Sequence, residues 1–125
     1  MLQHIALTVN DSEEIENFYE DVLLFTLKHK FTVNDKLSET VFNVREETDV
    51  YVMRSHNAEF EIFISKRKEK KVFSHVCLIY WKADILYDFA VKKGYKTTLK
   101  KGTKQDTYFI WDKSGNMFEI KEITE

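Results

Sequence analysis

A short strand motif occurs twice in the chain, and this repeat constrains the fold more than any other feature. Residues 4–9 read HIALTV and residues 75–80 read HVCLIY, so a histidine opens both segments. The tripeptide FEI also occurs twice, at 60–62 and at 118–120. Alternation of apolar and polar residues is typical of a strand with one buried face. The matched order of these segments indicates that one structural unit occurs twice.

Both halves predict the same succession of elements. Residues 3–9 and 73–81 are predicted first strands. An amphipathic helix follows each of them, capped in the first half by Asn10 and Asp11 and spanning 83–93 in the second. The first helix has apolar residues at helical spacing: Ile15, Phe18, Tyr19, Val22 and Leu23. The remaining predicted strands are 25–33, 40–45, 49–54 and 59–65 in the first half, and 95–100, 106–111 and 117–123 in the second.

This succession predicts an α+β fold of duplicated β-α-β-β-β units that form a curled mixed sheet. The first half has one predicted strand too many for the unit. At 125 residues the chain is expected to be a single domain of two repeats, 1–65 and 72–125, joined by the basic linker 66–71.

Charge divides the chain at the same linker. Residues 1–65 carry five basic and 13 acidic side chains, whereas residues 66–125 carry 14 basic and eight acidic ones. Two solvated surfaces would explain this distribution. Alternatively, the basic half attracts an anionic substrate or a complementary second subunit, and we expect a homodimer.

Composition excludes several classes of protein. Hydrophobic residues make up 43% and charged residues 32% of the chain, and its formal net charge is −2. We therefore expect no nucleic-acid partner. No apolar run reaches the roughly 18–20 residues of a membrane span, so we expect no membrane partner either. With no signal-peptide pattern and a single cysteine, Cys77, the protein is expected to be cytoplasmic.

Strand alternation predicts a metal site. It places His4, Glu61, His75 and Glu119 on the strand faces opposite the apolar residues. If the sheet curls so that these faces converge, two imidazoles and two carboxylates meet. Such a set suits Zn, Ni, Co, Fe or Mn.

Other residues near these positions have more than one interpretation. Glu59 could be solvated or could replace Glu61 as the ligand. Cys77 shares a face with His75, but a buried, inert thiol is the expectation. The side chains of Phe63, Met117 and Lys121 should point the same way as the predicted ligands and could contact a substrate. His29 and His56 have no counterpart in the repeat and are interpreted as surface residues.

The chain resembles the vicinal oxygen chelate superfamily, which includes glyoxalase I, methylmalonyl-CoA epimerase, fosfomycin-modifying thiol transferases, extradiol dioxygenases and bleomycin-resistance proteins. The resemblance rests on the histidine that opens each half, on the helix FYEDVLLF at 18–25, and above all on the closing DKSGNMFEI at 112–120. It covers essentially the whole chain. It implies a glyoxalase-like fold and makes the two histidines and two glutamates similar to the metal set of bacterial glyoxalase I.

Two departures from the family pattern concern the helix and the substrate. Leu24 stands where the family's Leu-Gly-Phe motif has glycine. Thr8 stands where glyoxalase I enzymes that use glutathione carry an arginine. The second departure argues against glutathione as the thiol.

The resemblance and the ligand set together imply a divalent-metal-dependent lyase or isomerase, similar to lactoylglutathione lyase. It would act on a small oxygenated compound or its thiol adduct, by stabilising an enediolate or oxyanion and transferring a proton. Glu119 is the first choice for the base and Glu61 the second. The alternatives are a thiol transferase of the antibiotic-resistance type, a dioxygenase, or a metal-free binding protein of the bleomycin-resistance type.

Overall fold

The computed structural model describes residues 1–123, which divide into two compact units, Met1–Arg67 and residues 68–123. The first unit contains strand β1 (Ile5–Val9), a π-helix (Ile15–Glu20), β2 (Thr26–Val33), helix α1 (Asp35–Phe42), β3 (Thr48–Ser55) and β4 (Ala58–Ile64). The second contains β5 (Val76–Tyr80), α2 (Ala83–Lys92), β6 (Thr97–Lys100), β7 (Thr107–Trp111) and β8 (Met117–Glu122).

Each unit has its own four-stranded mixed sheet, and the two sheets have the same topology. The strand order is β1-β4-β3-β2 in the first unit and β5-β8-β7-β6 in the second. In both, the first and last strands pair in parallel and the other pairs are antiparallel. The predicted α+β class with duplicated β-α-β-β-β units is therefore confirmed.

The first unit buries one face of its sheet beneath the π-helix. Phe18 and Tyr19 are fully buried, and the ring of Tyr19 lies edge-on to Phe60 of β4 at 6.2 Å between centroids. Phe25 stacks on the same ring at 4.7 Å. The predicted apolar stripe thus forms the core of this unit, because Phe60 and its strand neighbours supply the opposing apolar face.

The helix that carries this stripe is wound more widely than an α-helix. The amides of Asp21 and Leu23 donate to the carbonyls five residues earlier, at 3.0 and 2.9 Å. Leu24, four residues beyond the last residue of the helix, has φ +62°, in the left-handed region. Because glycine enters that region without steric cost, this geometry explains why the family motif has glycine at this position.

Asn10 and Asp11 were both predicted to cap the first helix, and their side chains make different hydrogen bonds. Asp11 Oδ1 accepts the Glu13 amide at 2.9 Å. Asn10 instead donates through Nδ2 to the carbonyl of Ser65 at 2.8 Å. Asn10 therefore ties the end of β1 to the chain just after β4.

The strand predicted at 40–45 is wrong, and helix α1 occupies the first half of that segment. Asn34 caps the helix by accepting the Leu37 amide at 2.8 Å, and Asn43 ends it with φ +59°. These two caps outweigh the strand preference of the apolar and β-branched run at 40–42. Without this strand the first unit has the same strand count as the second.

In the second unit, a buried turn fixes how β7 leads into β8. Asp112 Oδ1 accepts the amides of Ser114 and Asn116 at 2.9 and 2.8 Å, and its Oδ2 accepts Asn116 Nδ2 at 2.8 Å. Gly115 has φ +90°. The DKSGN sequence is thus an interlocked turn that sets the register of Glu119 on β8.

Candidate metal centre

The first unit brings His4 and Glu61 together. His4 directly precedes β1, and the parallel register of β1 with β4 places Ala6 beside Glu61. His4 Nε2 lies 3.4 Å from Glu61 Oε1. Both side chains are partly exposed. The pair thus lies at one edge of the sheet, where the parallel strands β1 and β4 are neighbours.

Glu59 also lies on this face, but its carboxylate is bound by cations. Arg54 Nη2 and Nε lie 2.8 and 3.2 Å from Glu59 Oε1, and Lys28 Nζ lies 3.9 Å away. The hydrogen bonds from Arg54 are the main reason why the pKa of Glu59 lies below its usual value. Of the two carboxylates that the sequence left open, Glu61 is the one that pairs with the imidazole.

The second unit repeats the arrangement with His75 and Glu119. His75 Nε2 lies 3.5 Å from Glu119 Oε1. The other ring nitrogen, Nδ1, is 2.8 Å from the carbonyl oxygen of Phe73. A carbonyl only accepts, so Nδ1 carries the proton of this hydrogen bond and Nε2 is the ring nitrogen directed toward Glu119. This is how metal-binding histidines are usually held by their second ring nitrogen.

The donor atoms of each pair fit a transition-metal ion. Zn–N and Zn–O bonds of about 2.0–2.2 Å put two donors of a tetrahedral site roughly 3.4 Å apart. The corresponding N···O separations are 3.4 Å in the first unit and 3.5 Å in the second. Imidazole and carboxylate together favour Zn, Ni, Co, Fe or Mn over Mg. Within the described part of either unit, no third histidine, cysteine, aspartate or glutamate joins its pair to form a cluster of three.

Two further side chains contact Glu119. Lys121 Nζ lies 3.5 Å from Glu119 Oε2, so Lys121 points toward the predicted ligand as the alternation indicated. Cys77, opposite Glu119 in the strand register, places its Sγ 3.8 Å from the same oxygen. The thiol is exposed, so the expectation of a buried cysteine was wrong. Partial desolvation, and then the Glu119 carboxylate, raise the pKa of Cys77.

The two remaining histidines lie outside the pairs. His56 lies in the turn between β3 and β4 with φ +45°. His29 is exposed on β2, opposite Val52 in the register, and therefore on the same sheet face as Glu61. Sequence reasoning missed the support from the Phe73 carbonyl, since a backbone group leaves no residue signature. It could have found the Arg54–Glu59 pair, because the two residues flank a short hairpin turn.

The same histidine–glutamate pair occurs in the same place of two repeated units, and comparisons identify the family of this duplicated fold. The profile of the Glyoxalase/Bleomycin resistance protein/Dioxygenase superfamily matches residues 1–120. The chain therefore belongs to this superfamily. No curated protein sequence matches the chain significantly.

Solved structures share the fold at low sequence identity. A glyoxalase family protein from Enterococcus faecalis superposes with a TM-score of 0.73 at 18% identity, covering 96% of this chain and 95% of that one. One from Bacillus cereus gives 0.78 at 11%, covering 97% and 92%. The fosfomycin resistance protein FosX from Listeria monocytogenes gives 0.77 at 12%, covering 99% and 93%. The predicted glyoxalase-like fold is confirmed.

A variant of the Listeria FosX was solved with Mn(II) and 1S,2S-dihydroxypropylphosphonic acid. That relative therefore binds a divalent metal and a small molecule. Among residues 1–123 of the present chain, no helix has the length and apolar character needed to cross a membrane.

Proposed function

We propose that the protein is a divalent-metal-dependent enzyme of the glyoxalase type, a lyase or isomerase for a small oxygenated compound or its thiol adduct. The two His–Glu pairs would supply one metal centre, with His4, Glu61, His75 and Glu119 as ligands, from one chain or from two copies. The observation that carries the proposal is the repetition: both pairs have the same donor atoms at nearly the same separation.

The simpler alternative for each pair is a histidine–glutamate ion pair at the surface, which contributes little to stability. The hydrogen bond between His75 Nδ1 and the Phe73 carbonyl supports the metal, because it holds the ring with Nε2 toward Glu119, as the second ring nitrogen usually does in metal-binding histidines.

The bound ion would act as a Lewis acid toward two substrate oxygens and lower the energy of the negative charge that develops there. Glu119 would take a proton from the neighbouring carbon through its carboxylate, and Glu61 would be the second choice for this role. Lys121 Nζ, 3.5 Å from Glu119 Oε2, would orient that carboxylate. The Phe73 carbonyl would hold the His75 ring in place.

A second candidate is addition of water or a thiol to an epoxide, as in fosfomycin modification. It is supported by the FosX relatives, one of which was solved with a vicinal diol phosphonate and Mn(II). Fosfomycin transferases typically use three protein ligands, so the fourth donor, Glu61, favours the lyase or isomerase. Incubating metal-loaded protein with fosfomycin, alone and with thiols, would separate the two candidates.

Metal analysis tests the proposal directly. Protein purified without chelators and without a nickel column should contain about one divalent ion per chain, measured by plasma mass spectrometry. Changing His75 to alanine, or Glu119 to glutamine, should weaken binding at least about tenfold, because each removes a donor. The matched control is His56→Asn, which removes an imidazole outside the pairs and suits a positive φ. Protein that retains no ion after incubation with Ni, Co, Zn and Mn in turn would overturn the proposal.

A further inference from the structure

The end of helix α1 contacts the same sheet face that presents Glu61. Phe63 follows Glu61 by two residues on β4, so their side chains share a face. The ring of Phe42, the last residue of α1, lies edge-on to the ring of Phe63 at 5.4 Å between centroids. Val50, which is opposite Phe63 on β3, is fully buried. The helix therefore adds an aromatic surface next to a predicted metal ligand.

This aromatic surface lies at the position where the glutathione-using relatives carry their arginine. Thr8 occupies that position in the sequence, and the parallel register of β1 with β4 places Thr8 beside Phe63. The neighbourhood that would hold a carboxylate in those relatives is thus occupied by a hydroxyl and two phenyl rings. Such a surface binds an apolar group far better than a charged one.

The surface is accessible within its unit. Phe42 is 52% exposed, and Leu37 and Val41 extend the exposed apolar side of the helix. The acidic side chains of Asp35 and Glu39 both pair with Arg45, at 3.7 and 3.2 Å, so this cation offsets part of their charge. Exposed phenyl and aliphatic groups beside a predicted chelating site are typical of ligand sites.

Only the first unit has this helix in the described chain. The matching connection in the second unit, between β6 and β7, is an irregular segment at 101–106 that carries Lys101 and Lys104. The two units therefore repeat the metal-ligand pair but differ in what flanks it. That difference favours a role for α1 in specificity over a role in building the unit.

We infer that Phe42 and Phe63 form an apolar wall that determines specificity, binding an uncharged apolar or aromatic part of the substrate beside its metal-chelating oxygens. This inference rests on the proposed function, because the wall needs the chelated substrate to place that group against it.

The test compares two chelators that differ only in the group the wall would contact. Acetohydroxamate and benzohydroxamate both bind a divalent ion through two oxygens, and one carries methyl where the other carries phenyl. Their affinities for protein loaded with the ion it retains best are measured by calorimetry and divided by their affinities for the free ion. We expect benzohydroxamate to be preferred about tenfold, as aromatic contact and partial burial of a phenyl group predict.

The variants Phe42→Ala and Phe63→Ala should each reduce the preference for benzohydroxamate at least about threefold. The variant Phe42→Leu should retain part of this preference. The matched control is Phe89→Ala, which removes a similarly exposed phenylalanine from helix α2. Circular dichroism checks that the variants fold. An unchanged preference in both alanine variants, with both hydroxamates bound, would overturn the wall and leave the proposed function standing. Failure of both hydroxamates to bind, with no ion retained, would overturn the proposed function and the wall together.

Discussion

At the scale of single residues, Leu24 replaces the glycine of the family motif at a position where the backbone conformation is unfavourable for a residue with a side chain. Its φ of +62° is a conformation that costs most L-residues about 1–2 kcal/mol. Its side chain is 63% exposed and recovers little of that cost by packing. The backbone at Leu24 is therefore strained. The sequence indicated this strain only through its difference from the family motif.

Replacing Leu24 with glycine is expected to stabilise the protein by about 1 kcal/mol. Removing Cβ relieves the left-handed strain, and this gain exceeds the added entropy of the unfolded chain. Urea denaturation followed by circular dichroism measures the change. Leu99→Gly, at a partly exposed strand position in β6, should destabilise instead. A lower midpoint for Leu24→Gly would contradict the strain.

A second prediction at this scale concerns Thr8. Glutathione adducts carry carboxylates that need a fixed cation, and such a bond contributes roughly 1.5–3 kcal/mol, or about 10–150-fold in affinity. The protein should therefore turn over the methylglyoxal–glutathione hemithioacetal weakly or not at all. Thr8→Arg should lower KM for this adduct about tenfold, measured as thioester absorbance, whereas Thr98→Arg on β6 should not. Rapid turnover by the unmodified protein would refute the prediction.

At the scale of elements, the sequence repeat predicted most of the helices and strands. Helix α1 was not predicted, because it depends on its capping residues. The first and last strands of each half were predicted correctly because the repeated histidine marks the first strand and the repeated FEI motif marks the last. The run at 40–42 misled the prediction, since its apolar and β-branched residues suit a strand as well as a helix. Its helical state depends on Asn34 and Asn43, one on each side, and the left-handed φ of Asn43 is not readable from a residue name. The wall on α1 was missed for the same reason.

Strand β5 also gives a prediction for alkaline pH. Burial raises the pKa of Tyr80, at the end of this strand, well above its usual value near 10. The unfolded chain therefore releases this proton at about pH 10 while the folded chain keeps it. Stability should fall as pH rises above 10, by about 1 kcal/mol per pH unit for this group.

Tyr80→Phe should flatten this decline, because phenylalanine has no proton to lose. Urea denaturation of both proteins between about pH 9 and 12 gives the slope of stability against pH for each. Comparing the two slopes removes any pH-independent difference in stability between the proteins. Equal slopes would show that Tyr80 ionises equally easily in the folded state.

At the scale of the whole molecule, charge and strand edges point to association. The acidic first half and basic second half have opposite sign, and β1, β2, β5 and β6 are the edge strands of the two sheets. Exposed edges and complementary charge both favour pairing with a second copy. The four ligands were predicted as one set, whereas each unit by itself supplies one half of that set.

A homodimer is therefore expected, with about twice the 15.0 kDa mass of the chain. If the oppositely charged halves meet, its dissociation constant should rise between 0.05 and about 0.5 M salt, because screening weakens the attraction. Light scattering at micromolar concentration measures both effects. A single species of chain mass at low salt would contradict the prediction.

The parallel pairing of the first strand with the last has a consequence for the order of folding. His4 and Glu61 meet only when β1 and β4 pair, and His75 and Glu119 only when β5 and β8 do. Such non-local pairs carry the largest loop-closure entropy and form late. During synthesis the first unit has no complete pair until nearly all of its residues have left the ribosome. The nascent chain thus passes through a long stage in which neither histidine–glutamate pair has formed, and under the proposed function an ion would bind only after both sheets are complete.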